Sequence, residues 1–251
     1  MNKLIYIIAS VILLFGCTQK PAPPRRNGSH ATTSQSSVGR IRHDAKPPLP
    51  NRNTAQAGRK SNINNQELSP TEIFATLSSA VFKIHTSTGL MEFQGSGFFI
   101  SDNGVAVSNY HVFKGTTIGQ EAIILSDGSQ YKLTNVCYKS EENDFIIFQV
   151  GIPNKVNYIR IANVTPKVGE KIYTIGSPRG LDNTFSSGEI SQIRRGGNVL
   201  QISAPIDHGS SGGVLLNSKG EAVGITYGGF DKSGANLNFA ININLIKPYI
   251  L

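Results

Sequence analysis

Apolar residues are spread very unevenly along this chain. Behind Met1, Asn2 and Lys3, residues 4–16 form one almost wholly apolar run of thirteen positions. Residues 18–66 then hold almost no large apolar side chain; Pro, Ser, Asn, Thr, Gln and Arg dominate. Such a stretch cannot bury enough surface to offset its chain entropy, so it reads as a disordered tether, about 40 Å long in root-mean-square terms. Order begins at Ser69-Pro70-Thr71-Glu72, which supplies an N-cap, a proline at the first helical position and a capping-box glutamate. Beyond that helix the pattern changes to short apolar segments broken by turns such as Asp102-Asn103-Gly104 and Asp127-Gly128. It predicts strands at 80–85, 93–100, 105–108, 121–125, 131–136 and 144–150, then at 171–175, 185–190, 199–202, 213–216, 222–226 and 237–241. Two groups of six strands at regular spacing predict an all-β barrel or sandwich, closed by a short helix near 244–249.

Charge changes the picture only once it is located. The 251 residues carry a formal net charge of +8, yet residues 18–66 hold nine basic residues and the single acid Asp44. Residues 67–251 hold 14 basic and 15 acidic residues. The basic excess therefore belongs to the tether, whereas a nucleic-acid-binding domain carries it on the folded surface. The tether's cations either rest on an anionic surface, at about 1 kcal/mol per charge, or are simply solvated. Two cysteines cannot build a disulfide framework, and 39% hydrophobic content is too high for a wholly disordered chain. A single long apolar run excludes a polytopic membrane protein.

That run has the layout of a secretory signal, and it ends in Leu14-Phe15-Gly16-Cys17. The tetrapeptide resembles the lipobox of bacterial lipoproteins. The resemblance implies cleavage after Gly16, lipidation of Cys17 and a membrane anchor, stable when more than one acyl chain is attached. The alternatives are an ordinary signal peptide or an uncleaved anchor.

The chemistry is concentrated in Gly209-Ser210-Ser211-Gly212-Gly213. Glycines around a serine let backbone approach a reacting carbonyl and aim amides at its developing oxyanion. The pentapeptide also fits G-x-S-x-G, the nucleophile elbow of α/β-hydrolases, in which the acid and the histidine follow the serine. No histidine follows His208, so a general base must come from upstream and the elbow reading fails. His30 and His43 lie in the tether, His85 on the exposed face of a strand, and His208 three residues from Ser211. His111 sits just after an apolar strand, where barrels display functional groups. Asp144 opens the apolar segment Asp-Phe-Ile-Ile-Phe-Gln-Val, and a carboxylate at the edge of a buried strand needs a partner such as an imidazolium.

The chain resembles a trypsin-like, chymotrypsin-fold serine endopeptidase of the bacterial high-temperature-requirement branch. The resemblance is carried by Gly95-Ser96-Gly97-Phe98-Phe99-Ile100, Ser108-Asn109-Tyr110-His111-Val112, the strand from Asp144, and residues 204–213, and runs from about Thr71 to Leu251. It implies two six-stranded antiparallel barrels, about 79–155 and 165–245, with short terminal helices and a site in the cleft between the barrels. His111 is then general base, Asp144 orients it, Ser211 is the nucleophile, and the amides of Gly209 and Ser211 form the oxyanion hole, with no metal or cofactor. Pro205 and Ile206 line the primary specificity pocket and Tyr227 lies on the substrate-pairing strand. Neither pocket residue is charged, which implies cleavage after small or medium apolar residues.

The resulting organisation is a signal peptide at 1–16, a tether at 17–66 beginning with lipidated Cys17, and a protease domain at 67–251. The expected location is the cell envelope, facing the periplasm or exterior, and the expected partners are polypeptide substrates. Ser210 replaces the Asn of the branch and the Asp of animal trypsins, so a freed N-terminus has no acid to pair with there. No span remains for the peptide-binding PDZ domain common in the branch. Cys137 is expected to be a buried free thiol, and oligomeric state stays open. A non-catalytic relative that binds peptides in the cleft is the alternative reading.

Overall fold

A computed structural model describes residues 66–177, 183–230 and 237–250. Its one α-helix among these, α1 (Pro70–Leu77), starts where the capping residues require. The Ser69 hydroxyl accepts from the Glu72 amide, and the Glu72 carboxylate accepts from the Ser69 amide at 2.9 Å. The Ser69 hydroxyl also donates to that carboxylate at 2.7 Å, and this bond foremost, with that of the Ser69 amide, holds the Glu72 carboxyl below its usual range. The helix buries Ile73 and Leu77.

Strands β1 (Val81–Ser87), β2 (Glu92–Phe99), β3 (Val105–Ser108), β4 (Ala122–Ile124), β5 (Gln130–Tyr131), β6 (Leu133–Ser140) and β7 (Phe145–Val150) form one antiparallel sheet ordered β5-β4-β1-β2-β3-β7-β6. The single strand expected at 131–136 is two, divided at Lys132, whose ammonium turns to the carbonyls of Gln120 and Glu121. The end strands β5 and β6 share no ladder, so this half is a seven-stranded half-barrel instead of a closed six-stranded one. The second group does close. Strands β8 (Lys171–Gly176), β9 (Thr184–Arg194), β10 (Val199–Ile202), β11 (Val214–Leu216), β12 (Ala222–Phe230) and β13 (Leu237–Asn242) make a six-stranded barrel ordered β10-β13-β12-β11-β8-β9. The expected C-terminal helix is a pair of 3-10 turns, Ile243–Leu245 and Lys247–Tyr249.

Strand β7 explains how the two halves join. Its Phe-Ile-Ile-Phe run has no polar alternation because both faces are covered. Ile146 and Phe148 point into the first sheet's core with Phe82, Ile84 and Phe99. Phe145 and Ile147 point into a second core shared with Ile175, Val214 and Ile225 of the closed barrel and with Ile73 and Leu77 of α1. A third core fills the barrel itself, around Ile172, Leu200 and Leu215. The shared core holds the loops of the two halves in register.

Cys137 is exposed, contrary to the expectation of a buried thiol. The ladder of β6 with β7 shifts register between Val136 and Tyr138. Tyr138 then turns inward to stack on Tyr249, with ring centroids 3.6 Å apart, and Cys137 takes the outer face. The signal and tether expectations, including Cys17, lie outside the described residues.

Phe82 is 1% exposed, with its ring centroid 4.6 Å from that of Phe99. Phe82→Ala should cost about 3–5 kcal/mol, the range for emptying an aromatic site in a packed core. Ser69→Ala should cost about 1 kcal/mol through the lost cap. Denaturant unfolding of the two variants against the parent measures both.

Candidate active site

Strand β3 delivers the chain into a 3-10 turn, Tyr110–Val112, with Asn109 as its N-cap. The Thr86 hydroxyl ties this turn to β1 through the Val112 carbonyl at 2.9 Å. Opposite it, Asp144 stands one residue before β7 with φ 51°, a left-handed conformation that costs energy for most side chains but is tolerated by aspartate. Its carbonyl accepts from the Tyr110 amide at 3.2 Å and from the buried Asn109 side chain at 3.0 Å. Its carboxylate accepts from the His111 amide at 2.8 Å and meets the imidazole Nδ1 at 2.7 Å. Both carboxylate oxygens thus serve one residue. With Nδ1 as the donor to Asp144, the tautomer leaves Nε2 as the basic nitrogen. The side chains are 44% and 20% exposed, so the imidazole faces the cleft while the carboxylate is mostly enclosed. A further pair, Lys114 with Glu141 at 2.5 Å, links the loops after His111 and before Asp144; the carboxylate pushes the Lys114 amine up. Both partners are well exposed, so water screens this pair.

Ser211 comes from the other half, on the loop between β10 and β11. Gly95 on β2 lies between the two parts: a Cβ there would meet the Val112 side chain at 2.6 Å and the Ser211 carbonyl at 3.2 Å. A residue with no side chain therefore lets the histidine turn and the serine loop close on the same strand. Gly212 is tighter still. Its φ is +88°, and a Cβ would collide with the Ser96 carbonyl and the Ser108 hydroxyl.

Hydrogen bonds then sort the loop's amides. Ser210 N–H donates to the Asp207 carbonyl at 3.0 Å, Gly212 N–H to Thr226 at 2.8 Å and Gly213 N–H to Ser210 at 2.9 Å. The Ser210 carbonyl accepts a second bond, from the Thr226 hydroxyl at 2.6 Å. Across a trans peptide the carbonyl and the next N–H point opposite ways, so these two donors turn the Ser211 N–H away from the protein side. Neither that N–H nor the N–H of Gly209 has an acceptor among the described residues. Nor does the Ser211 hydroxyl have a hydrogen-bond partner among them.

The residues singled out for substrate contact fall in two places. Pro205 and Ile206 line a cavity of about 290 Å³ with Gly176, Ser186, Ser210 and Thr226, beneath the serine loop. Tyr227 is not part of it. It lines a cleft of about 540 Å³ with His111, Asp144 and Glu142, its ring centroid 6.4 Å from that of His111. His85 and His208 are both exposed. Three residues escaped the sequence reading: Asn109, Ser96 and Thr226, which hold backbone groups of Asp144 and of the serine loop. Ser96 and Asn109 sit inside motifs quoted above, but nothing in a linear string marks a hydroxyl or amide as bonded to backbone far away in sequence.

Comparison with known proteins agrees with this architecture. Residues 95–225 match the trypsin-like peptidase domain family. The probable serine protease do-like of Buchnera aphidicola subsp. Acyrthosiphon pisum (strain APS) is 37% identical over 164 residues, which is 61% of this chain and 34% of that one. The periplasmic serine endoprotease DegP of Escherichia coli (strain K12) is 34% identical over 164 residues, with the same coverage. The chain thus spans about a third of the length of these relatives. Among solved structures, the serine endoprotease from Yersinia pestis superposes with a TM-score of 0.65 at 27% identity, covering 73% of this chain and 66% of that one. With the matched segment reaching from the glycine-rich strand β2, past His111, Asp144 and Ser211, into β12, the chain belongs to the trypsin-like peptidase family.

Proposed function

We propose that this chain is a serine endopeptidase tethered to a membrane of the bacterial envelope. The observation that carries the reading is the His111 Nδ1 to Asp144 Oδ2 contact at 2.7 Å, with the Ser211 loop packed across Gly95 from it. In the reaction, Ser211 Oγ attacks the scissile carbonyl carbon while His111 Nε2 takes its proton. The carbonyl oxygen becomes an oxyanion facing the amides of Gly209 and Ser211, which have no other acceptor among the described residues. Collapse of the tetrahedral species breaks the C–N bond, and His111 returns the proton to the leaving amine. Water then attacks the acyl-enzyme by the same route in reverse, releasing the acid and restoring Ser211. Asp144 keeps Nδ1 protonated throughout and stabilises the imidazolium. Each oxyanion donor contributes about 3–4 kcal/mol to lowering the barrier.

Polypeptide substrates and an envelope location are supported by the relatives named as periplasmic serine endoproteases. The membrane attachment rests on the Cys17 motif. Among the described residues no helix is long and apolar enough to cross a membrane. The preference for small or medium apolar residues before the cut rests on uncharged Pro205 and Ile206.

One observation favours a second reading, a latent or inactive relative that binds peptides. Ser211 Oγ makes no hydrogen bond to His111 among the described residues, although such bonds often tighten only when substrate arrives.

A fluorophosphonate probe applied to the detergent-solubilised full chain separates the two. Peptide mass spectrometry should find the adduct on Ser211. Ser211→Ala and His111→Ala should abolish turnover by about 10⁶-fold, and Asp144→Asn should lower it about 10⁴-fold by stabilising the wrong tautomer. Folded protein that takes up no probe would be a binding module. Sequencing the products of a peptide library should show Ala, Val or similar residues before the cut; dominant Lys or Arg would overturn the specificity reading. Cys17→Ser should shift the protein from the membrane pellet to the soluble fraction after cell fractionation.

A further inference from the structure

Ser96 uses every polar atom it has. It lies on β2 beyond the point where that strand pairs with β3, whose ladder covers only Phe98 and Phe99. The Ser96 amide therefore donates outside its own sheet, to the Ser211 carbonyl at 2.7 Å. Its hydroxyl donates to the Gly209 carbonyl at 2.8 Å and accepts from the Ser177 amide at 2.9 Å. Its carbonyl accepts from the Ser108 hydroxyl at 2.7 Å. The residue is 0% exposed, so these bonds are shielded from water on its side.

The partners are not scattered. The peptide joining Gly209 to Ser210 is held at its carbonyl by the Ser96 hydroxyl and at its N–H by Asp207. The peptide joining Ser211 to Gly212 is held at its carbonyl by the Ser96 amide and at its N–H by Thr226. Between them lies the peptide whose N–H, that of Ser211, has no acceptor among the described residues. Ser96 thus clamps the peptides on both sides of that donor, and one of them fixes the conformation that follows the Gly209 amide. A planar unit pinned at both ends cannot rotate without breaking two hydrogen bonds.

We propose that Ser96 is a positioning residue for the oxyanion donors: its hydroxyl, reaching across from the half-barrel, keeps the amides of Gly209 and Ser211 aimed at the reacting carbonyl. The inference rests on the reading of Ser211 as nucleophile. Ser96 touches no substrate; it acts through the Gly209 carbonyl. Loss of the hydroxyl frees that carbonyl and strands the buried Ser177 amide, so the loop relaxes while the His111 and Asp144 pair is left intact.

The test compares Ser96→Ala with Asn217→Ala in the full chain. Asn217 is buried, and its side-chain oxygen accepts from the amides of Lys219 and Glu221 in the turn before β12, so the control also loses internal hydrogen bonds. Ser96→Ala should lower the second-order rate of fluorophosphonate acylation, and kcat on a peptide substrate, by about 10- to 100-fold, a fraction of the loss on deleting a donor outright. KM should stay within about 3-fold and the midpoint of the pH–rate profile should not move, because neither substrate contacts nor the base are altered. Ser96→Cys keeps the shape with a weak donor, so it should fall between parent and Ala; it also serves where the Ala variant does not fold. Hydrogen exchange should quicken at the bonded amides of Ser210 and Gly212 in both Ser96 variants and not in Asn217→Ala. Equal acylation rates for Ser96→Ala, Ser96→Cys and Asn217→Ala would overturn the proposal, as would a loss confined to KM. Failure of the parent itself to label at Ser211 would instead overturn the nucleophile reading and this inference with it.

Discussion

The serine loop has to bring backbone within van der Waals contact of β2, and most of the site follows from that closeness. Only side-chain-free residues fit at Gly95 and Gly212, where any Cβ would run into Val112, Ser96 or Ser108. At this range backbone groups of the two halves can bond directly, as Ser96 N–H and Ser211 C=O do at 2.7 Å. Those bonds exclude water and decide which amides are spent within the protein and which are left over. The chemistry proposed for the site uses the remainder.

The histidine side obeys a related constraint. Asp144 adopts φ 51°, a conformation that needs outside support. Support comes from Tyr110 and Asn109 at its carbonyl and from His111 at its carboxylate, so the residue that orients the imidazole is itself oriented by the imidazole's own turn. Behind both loops, the core shared by Phe145, Ile147, Ile175 and Val214 keeps the two halves from sliding. An error in that packing would reach the site as misaligned hydrogen bonds.

Much of this was legible in the linear string, for identifiable reasons. The capping box at Ser69 is a local arrangement of four residues, and it begins α1 where expected. Unbroken Phe-Ile-Ile-Phe announced a strand buried on both faces. The order of His111, Asp144 and Ser211, with the glycines around the serine, pointed to a histidine and an aspartate that meet through Nδ1 and Oδ2. Other features depended on long-range pairing. Cys137, expected to be buried, follows the segment expected at 131–136, and a register shift against β7 turns it outward. The first barrel fell short of closure because β5 is only two residues long and finds no ladder with β6.

The sequence by itself determined the class of fold, the separation of a basic N-terminal stretch from a nearly neutral remainder, and the residue types able to act as base, acid and nucleophile. These are properties of composition, period and short spacing, carried by neighbours along the chain. Only the tertiary structure decided how the residues meet: which imidazole nitrogen faces the carboxylate, which loop amides find no acceptor among the described residues, and that a buried serine on β2 bonds to the loop of the opposite half. Such relations join residues distant in sequence, His111 and Asp144 across 33 positions and Ser96 and Gly209 across 113, the latter through a hydrogen bond that exists only after both halves have packed.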